Sequence, residues 1–388
     1  MRILYFSRWS TSHDRRFLEK LATSQHNIFF AQLQPGTSPL QQYAPPPGVT
    51  PVEWKGLPAG LGAVSAEALV EALPAFEQML AEVAPHLVHA GPILDCGFLA
   101  ALSGHHPNIL MSWGSDLLVD AESSPARRWL ASFALRRADF FVCDCETVKA
   151  QAEKLIHRPM GETLAFPWGV DLERFMPAAR SSGMRERLGW EQNIVLIATR
   201  AWEPAYDVDI LIKAFAEAVR HESRLRLILL GGGSMETEFK SLIGELGVEA
   251  FVHSPGFVPE TELPALFQAA DLYVSAVPSD GSSISLLQAF ATGLPAVVAD
   301  AAGNREWVTK DCGWLAGVKD PQAFAAAIAE LCALPRARVD AMRRHVHEVA
   351  LARGDWNRNS AQLLALYDRV AAQGPTRAHL NRTQDVKR

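Results

Sequence analysis

An acidic side chain, a glycine and three serines stand together at residues 280–285, where Asp280-Gly281-Ser282-Ser283-Ile284-Ser285 precedes Leu286, Leu287 and Phe290. That order reads as a loop entering a short helix with an apolar inward face. The first N–H groups of a helix have no partner within it and carry partial positive charge, so such a start suits an anion. Gly281 would let a ligand approach the backbone closely. A capped helix in an ordinary α/β domain would carry the same residues, and the pattern alone leaves both readings open. Arg200 is the second group with a chemistry of its own. It follows the apolar run NIVLIAT (193–199), so its guanidinium would project from a strand end, where a planar fork of donors fits a diphosphate. Pairing with a nearby carboxylate such as Glu203 is the structural alternative.

Three other patterns resemble ligand sites without requiring one. Asp207 and Asp209 make an Asp-x-Asp pair, but Asp207 falls where a helix N-cap belongs and Asp209 in the first turn, where the dipole favours acids. No metal is expected. Gly231-Gly232-Gly233 follows a strand but fails G-x-G-x-x-G, because Glu236 occupies the third position. The stretch ARRWLASFALRRADF (126–140) sets Arg127, Arg128, Arg136 and Arg137 around apolar residues. It reads as a solvated helix with an apolar inner stripe, or as a peripheral contact with an anionic membrane face.

The elements that must hold these residues alternate along the chain. Strand-like runs at 2–7, 27–33, 86–90, 108–113 and 139–144 are interleaved with helical stretches near 13–24 and 65–84. A long loop is expected at 34–48. After Pro177 the rhythm restarts, with strands at 193–199, 226–233, 271–276 and 295–300 and helices at 208–221 and 235–246. Alternation of this kind means doubly wound parallel sheets, and two series mean two Rossmann-like domains with a cleft between them. Ligands in such folds bind at the carboxyl ends of the strands. A chain of 388 residues, 48% hydrophobic and 21% charged, has ample material for two cores. The net charge of −6 argues against a nucleic-acid partner. No apolar run nears the ~20 residues that span a bilayer, and MRILYFSRW leads directly into a strand. Five scattered cysteines without a C-x-x-C pair read as reduced thiols of a cytoplasmic protein.

The segment SDGSSISLLQAFATGLPAVVADAAGNREWV (279–308) resembles the donor-binding signature of family 4 glycosyltransferases, retaining enzymes of the two-Rossmann-domain GT-B architecture. That signature is an acidic residue, seven residues, a second acidic residue, alanine and a Gly-x-Pro strand. Here it stands as Asp280, seven residues, Gln288-Ala289, then Gly293-Leu294-Pro295. PWGVDLERFMP (167–177) resembles the family's interdomain sequence, IATRAWEPAYDVDILIKAF (197–215) its diphosphate-holding strand, loop and helix, and DWNRNSAQLLALYDRV (355–370) its closing helix. Similarity is good over residues 85–372 and thin before.

The resemblance implies an N-terminal acceptor-binding domain (1–175), a donor-binding domain (176–353), a closing helix (354–373) and a flexible tail (374–388). It implies a nucleotide-sugar co-substrate, no cofactor, no metal, and a sugar or lipid-linked acceptor. Arg200 and Asp280 would act in catalysis. Donor contacts would come from Arg200, Tyr206, Gly232, Gly233, Phe257, Val258, Asp280, Gly281, Ser282, Ser283, Ile284, Ser285 and Gln288. Several residues depart from the family pattern. Tyr206 stands in the region of a lysine, Asp280 replaces a glutamate that contacts the donor sugar, and Gln288 replaces one that binds ribose hydroxyls. Trp113 stands where a histidine is usual, leaving His89 as the nearby candidate for its role, or else as a core histidine. The glycine pair after strand one is absent, and Arg8 or His13 would supply side-chain donors there; Trp113 and Asp116 are further candidates on the acceptor side. A catalytically silent nucleotide-sugar-binding subunit is the rival reading. A sugar-nucleotide epimerase would need a carboxylate set that the sequence does not display.

Overall fold

The computed structural model describes residues 1–37, 42–60, 64–178 and 183–373, so the expected tail at 374–388 lies outside the described residues, as does part of the expected 34–48 loop. The chain forms two compact units. Unit 1 is Met1–Phe166 together with the chain from Ser360 onward, and unit 2 is Pro167–Asn359.

Unit 1 is built on seven strands: β1 (Arg2–Ser7), β2 (Asn27–Gln32), β3 (Val49–Pro51), β4 (Leu87–Gly91), β5 (Asn108–Met111), β6 (Phe140–Cys143) and β7 (Glu162–Ala165). All pair in parallel in the order β3-β2-β1-β4-β5-β6-β7. Unit 2 has six: β8 (Ile194–Ala198), β9 (Leu225–Leu230), β10 (Val252–Gly256), β11 (Leu272–Ser275), β12 (Ala296–Ala299) and β13 (Gly313–Ala316), in the order β10-β9-β8-β11-β12-β13. The inner strands are continuous apolar runs because helices cover both faces of each sheet. The order reverses beside β1 in unit 1 and beside β8 in unit 2. A crevice therefore opens between the carboxyl ends of β1 and β4, and another between those of β8 and β11.

The strands that sequence periodicity misses are β3, β7, β10 and β13, and these are the four sheet edges. Each is short and partly polar: VTP, ETLA, VHSPG and GWLA. Edges carry proline and polar residues because one side of the strand faces no partner. A buried ion pair fixes the start of unit 2, where Arg185 reaches Asp271 at 2.5 Å and also donates to the Ala269 carbonyl at 2.7 Å. Asp271 in turn accepts the N–H of Val195 at the head of β8 (3.0 Å).

The helix Trp356–Gln373 begins in unit 2 and buries Leu363, Leu366, Tyr367 and Val370 in unit 1. Gly169 has φ +74°, and a Cβ there would lie 2.7 Å from the Gly354 carbonyl. That close approach lets the Val170 N–H donate to the Gly354 carbonyl (2.7 Å) and the Val170 carbonyl accept the Trp356 N–H (3.1 Å).

Candidate functional site

β8 ends at Ala198, and Arg200 follows at the crevice between β8 and β11. Its guanidinium bonds the Asp280 carboxylate and donates to Ser283 Oγ at 2.5 Å. Both side chains of the ion pair are about one-fifth exposed (20% and 22%), so the pair is reachable from solvent. The Tyr206 ring lies 5.9 Å from the guanidinium carbon, presenting a π face where a second cation was not available. Burial alone would lower the pKa of Arg200, but Asp280, with Tyr273 and Tyr206, outweighs it and moves the value upward. The group is a permanent cation.

Ser283 caps the helix Ile284–Ala291, accepting the Leu286 N–H at 3.4 Å. Its hydroxyl also meets Ser285 Oγ (3.2 Å), and Ser285 meets the Tyr273 hydroxyl of β11 (2.8 Å). A hydrogen-bonded string thus runs from Arg200 through two serines into the sheet, and Ser282 is buried beside it. Glu203, the alternative partner of Arg200, instead accepts the N–H of Ser234 at 2.9 Å and its hydroxyl. Gly303 is a residue that sequence reasoning did not single out. A Cβ there would stand 2.2 Å from the Asp280 carbonyl and 2.3 Å from that of Gly281. Only glycine lets the chain after β12 support the Asp280-Gly281 loop so closely. Gln288, on the same short helix, is partly exposed, and its amide makes no hydrogen bond among the described residues. It does not tie the helix to a neighbouring loop.

The triple glycine is explained by packing around Arg200. A Cβ on Gly231 (φ +114°) would lie 2.3 Å from the Arg200 carbonyl, and one on Gly233 2.5 Å from that of Trp202. The Trp202 N–H donates to the Gly232 carbonyl at 3.0 Å. Phe257, 56% exposed, lies across Gly232, whose Cβ would be 3.0 Å from the ring. Val258 is partly buried next to it, and His253 stands edge-on to Trp190 at 6.3 Å.

Asp207 stands where the sequence places it but does not cap. It occupies the N-cap position of the helix Val208–His221 in the left-handed region (φ +47°), and its side chain makes no capping bond. Asp209 pairs with Lys213 at 2.8 Å. Among the described residues no group of three or more His, Cys, Asp or Glu is arranged to hold a metal ion.

In unit 1 the expected acceptor residues gather at the carboxyl edge of the sheet. Arg8 lies 3.4 Å from Asp95 and over the Trp9 ring at 4.4 Å. Trp113 packs against His13 (5.8 Å) and Phe17 (5.7 Å). Asp116 accepts from Ser112 Oγ (2.6 Å), Trp113 N–H (3.1 Å) and Ile93 N–H (2.8 Å). Burial pushes its carboxyl up to about 6.

His89 corrects one expectation. It is wholly buried in the middle of β4, bonded through Nδ1 to the Tyr367 hydroxyl and edge-on to Tyr5. Burial lowers its pKa to about 3. It is a core histidine that seats the helix Trp356–Gln373, with no surface open to solvent. The arginines of Pro125–Arg137 engage the protein itself: Arg127 meets Asp120 (3.7 Å), Arg128 meets Glu122, and Arg136 donates to the Ile156 carbonyl (2.6 Å). Arg137 covers the Phe133 ring at 3.6 Å. No helix among the described residues is long and apolar enough to cross a membrane.

Two family models match the chain, one described as Glycosyl transferases group 1 over residues 183–347 and one as Glycosyl transferase 4-like over residues 2–145. A GDP-mannose-dependent alpha-(1-6)-phosphatidylinositol monomannoside mannosyltransferase of Mycolicibacterium smegmatis is 30% identical over 209 residues, covering 52% of this chain and 54% of that protein. A D-inositol 3-phosphate glycosyltransferase of Thermobispora bispora is 32% identical over 243 residues, covering 59% and 56% respectively. The chain thus spans about half the length of the curated relatives it matches. A crystal structure of Anabaena Alr3699/HepE in complex with UDP-glucose superposes with a TM-score of 0.72 at 19% identity, covering 95% of this chain and 99% of that one. At that identity the likeness speaks for the fold.

Proposed function

We propose that this chain, which belongs to the group 1 glycosyltransferases of GT-B architecture, moves a sugar from a nucleotide-activated donor to an acceptor hydroxyl, with retention and without a metal. One observation carries the reading: a permanent, solvent-reachable guanidinium bonded to both an acidic loop and the capping serine of a helix start. A diphosphate would meet Arg200 and the first N–H groups of Ile284–Ala291, donors fixed before the reaction begins. Such donors stabilise charge on the leaving group as the glycosidic bond breaks.

Asp280 is bonded to Arg200, and a phosphate that took over that cation would turn the carboxylate toward the sugar. There it accepts from hydroxyls or faces the positive charge that develops on the ring. Gln288, an amide without a protein partner, suits ribose hydroxyls, and the exposed Phe257 ring suits a base. The sugar carbon loses its bond to the diphosphate oxygen and gains one to the acceptor oxygen on the same face. The acceptor proton passes to the departing phosphate, so no protein base is required, in keeping with His89 being sealed in the core. Relatives named for GDP-mannose and solved with UDP-glucose support a nucleoside diphosphate sugar without selecting the base. Peripheral membrane contact would fall to Trp129, 58% exposed on Pro125–Arg137, and flotation with anionic vesicles checks it.

A thermal-shift screen tests the reading. Nucleoside diphosphates and nucleotide sugars should raise the apparent stability, by roughly 2.7 kcal/mol where the ligand stands at a hundredfold excess over its Kd, and mononucleotides at the same concentration should raise it by less. No shift with any of them would contradict it. Binding without turnover would mark a silent partner subunit instead.

A further inference from the structure

The carboxyl edge of the unit 1 sheet carries a connected set of groups running from His13 through Trp113, Asp116 and Ile93 to Asp95, Arg8 and Trp9. Five of its backbone donors are already taken. The N–H groups of Ile93 and Trp113 go to Asp116, that of Cys96 to Asp95 (2.7 Å), that of Thr11 to Asp14 (2.9 Å) and that of Gly114 to Ser112 Oγ (3.1 Å). No glycine lies between Ser7 and Asp14, so this loop cannot wrap closely around a phosphate.

The charges point the same way. Asp14, Asp95 and Asp116 are all buried at this edge. Arg8 is held beside Asp95 at 3.4 Å, and Arg127 is engaged by Asp120. A phosphorylated ligand would meet carboxylates whose neighbouring cations are neutralised, and like charges juxtaposed in a site of low polarity repel strongly. What the edge does present is aromatic: the partly exposed indoles of Trp9 and Trp113, with the exposed imidazole of His13 alongside. Such rings offer an apolar body with a polar rim, matching the C–H face and hydroxyls of a sugar.

We infer that the acceptor is an uncharged sugar seated on Trp113 and that the Arg8–Asp95 pair excludes a phosphorylated one. This rests on the glycosyl-transfer reading above for the ligand's role as acceptor. The test is direct binding without donor. Saturation-transfer NMR on the full chain would compare glucose with glucose 6-phosphate, and myo-inositol with its phosphate.

The neutral member of each pair should bind about tenfold more tightly, a gap that narrows as salt screens the repulsion. Trp113→Ala should abolish the signal. Asp95→Asn, which keeps an oxygen for the Cys96 N–H but removes the negative charge beside Arg8, should bring the phosphorylated member up by about tenfold. Equal or tighter binding of the phosphorylated member in the wild type would overturn the inference. So would an unchanged preference in a folded Asp95→Asn, or no binding of either neutral sugar. Because no nucleotide is present, failure here leaves the donor reading standing, and failure of the nucleotide screen leaves this result interpretable.

Discussion

The carboxyl edges of the two sheets occupy equivalent topological places, yet they are chemically opposite. In unit 2 the edge holds one permanent cation, Arg200, against one partly exposed acid, Asp280, beside a helix start. In unit 1 it holds the buried acids Asp14, Asp95 and Asp116, which accept the N–H groups of Thr11, Cys96, Ile93 and Trp113, with Arg8 tied to one of them. The same winding of strands makes both crevices. What each can bind is set by whether its donors are left open to a ligand or satisfied by the protein's own carboxylates.

The largest expected effect lies in unit 2. Asp280→Asn should leave nucleoside diphosphate affinity intact or slightly improved, because a competing anion is removed from Arg200. Transfer should fall by ~10²-fold, comparable to deleting one oriented catalytic dipole. Steady-state turnover beside calorimetric binding separates the two, and an unchanged rate would show that the carboxylate does not act on the sugar.

Next comes Gly231→Ala, where a Cβ would strike the Arg200 carbonyl at φ +114°. Unit 2 should lose about 2–3 kcal/mol of stability from strain and overlap. Urea melts read the loss, and nucleotide affinity should fall with it while the sugar binding assigned to unit 1 is spared.

Unit 1 should respond to pH through His89 and Asp116. His89 is held neutral in the fold at about 3, against its ordinary 6.5, so the unfolded chain binds more protons between those values. Stability therefore falls as pH drops from 6.5 toward 3. Asp116 has the opposite sign. Its folded value of about 6 against 3.8 means that the fold holds the extra proton, and stability rises as pH falls through that window. His89→Gln should remove roughly 2 kcal/mol of acid loss between pH 7 and 5, and Asp116→Asn should make the loss steeper. Denaturant melts at the two pH values check both slopes, and parallel slopes in mutant and wild type would rule the assignment out.

The smallest effect is expected at Asp209, paired among the described residues only with Lys213. Asp209→Asn should change stability by no more than about 0.5 kcal/mol, and excess chelator should leave transfer intact. Loss of activity on chelation, restored by magnesium or manganese, would reverse the metal-free reading.

The sequence was legible where one run of residues carried the whole signal. Central strands such as LRLILL and AVVA announce themselves by continuous apolarity, and SDGSSIS announces a capped helix start. Edge strands escape because half of their hydrogen-bonding and packing is absent, leaving little pattern to read. His89 shows how a one-residue shift misleads. A strand read as 86–90 puts it near an end, whereas β4 runs Leu87–Gly91 and seals it in the middle. Pairings across long separations were also hidden. Asp280 rather than Glu203 is the partner of Arg200, 80 residues away, and Asp95 binds Arg8 only because β1 and β4 are neighbours. Gly303 carries no signal in the sequence, because its role comes from the Asp280-Gly281 loop packed against it.

The comparison depends most on Arg200 being an anion receptor rather than a structural ion pair. Titration calorimetry of the folded Arg200→Ala variant with the nucleoside diphosphate that the thermal screen selects decides this. Affinity should weaken by about 2–3 kcal/mol, the scale of lost charge-assisted hydrogen bonds, with sugar binding at Trp113 unmoved. An unchanged affinity for the diphosphate would contradict the account.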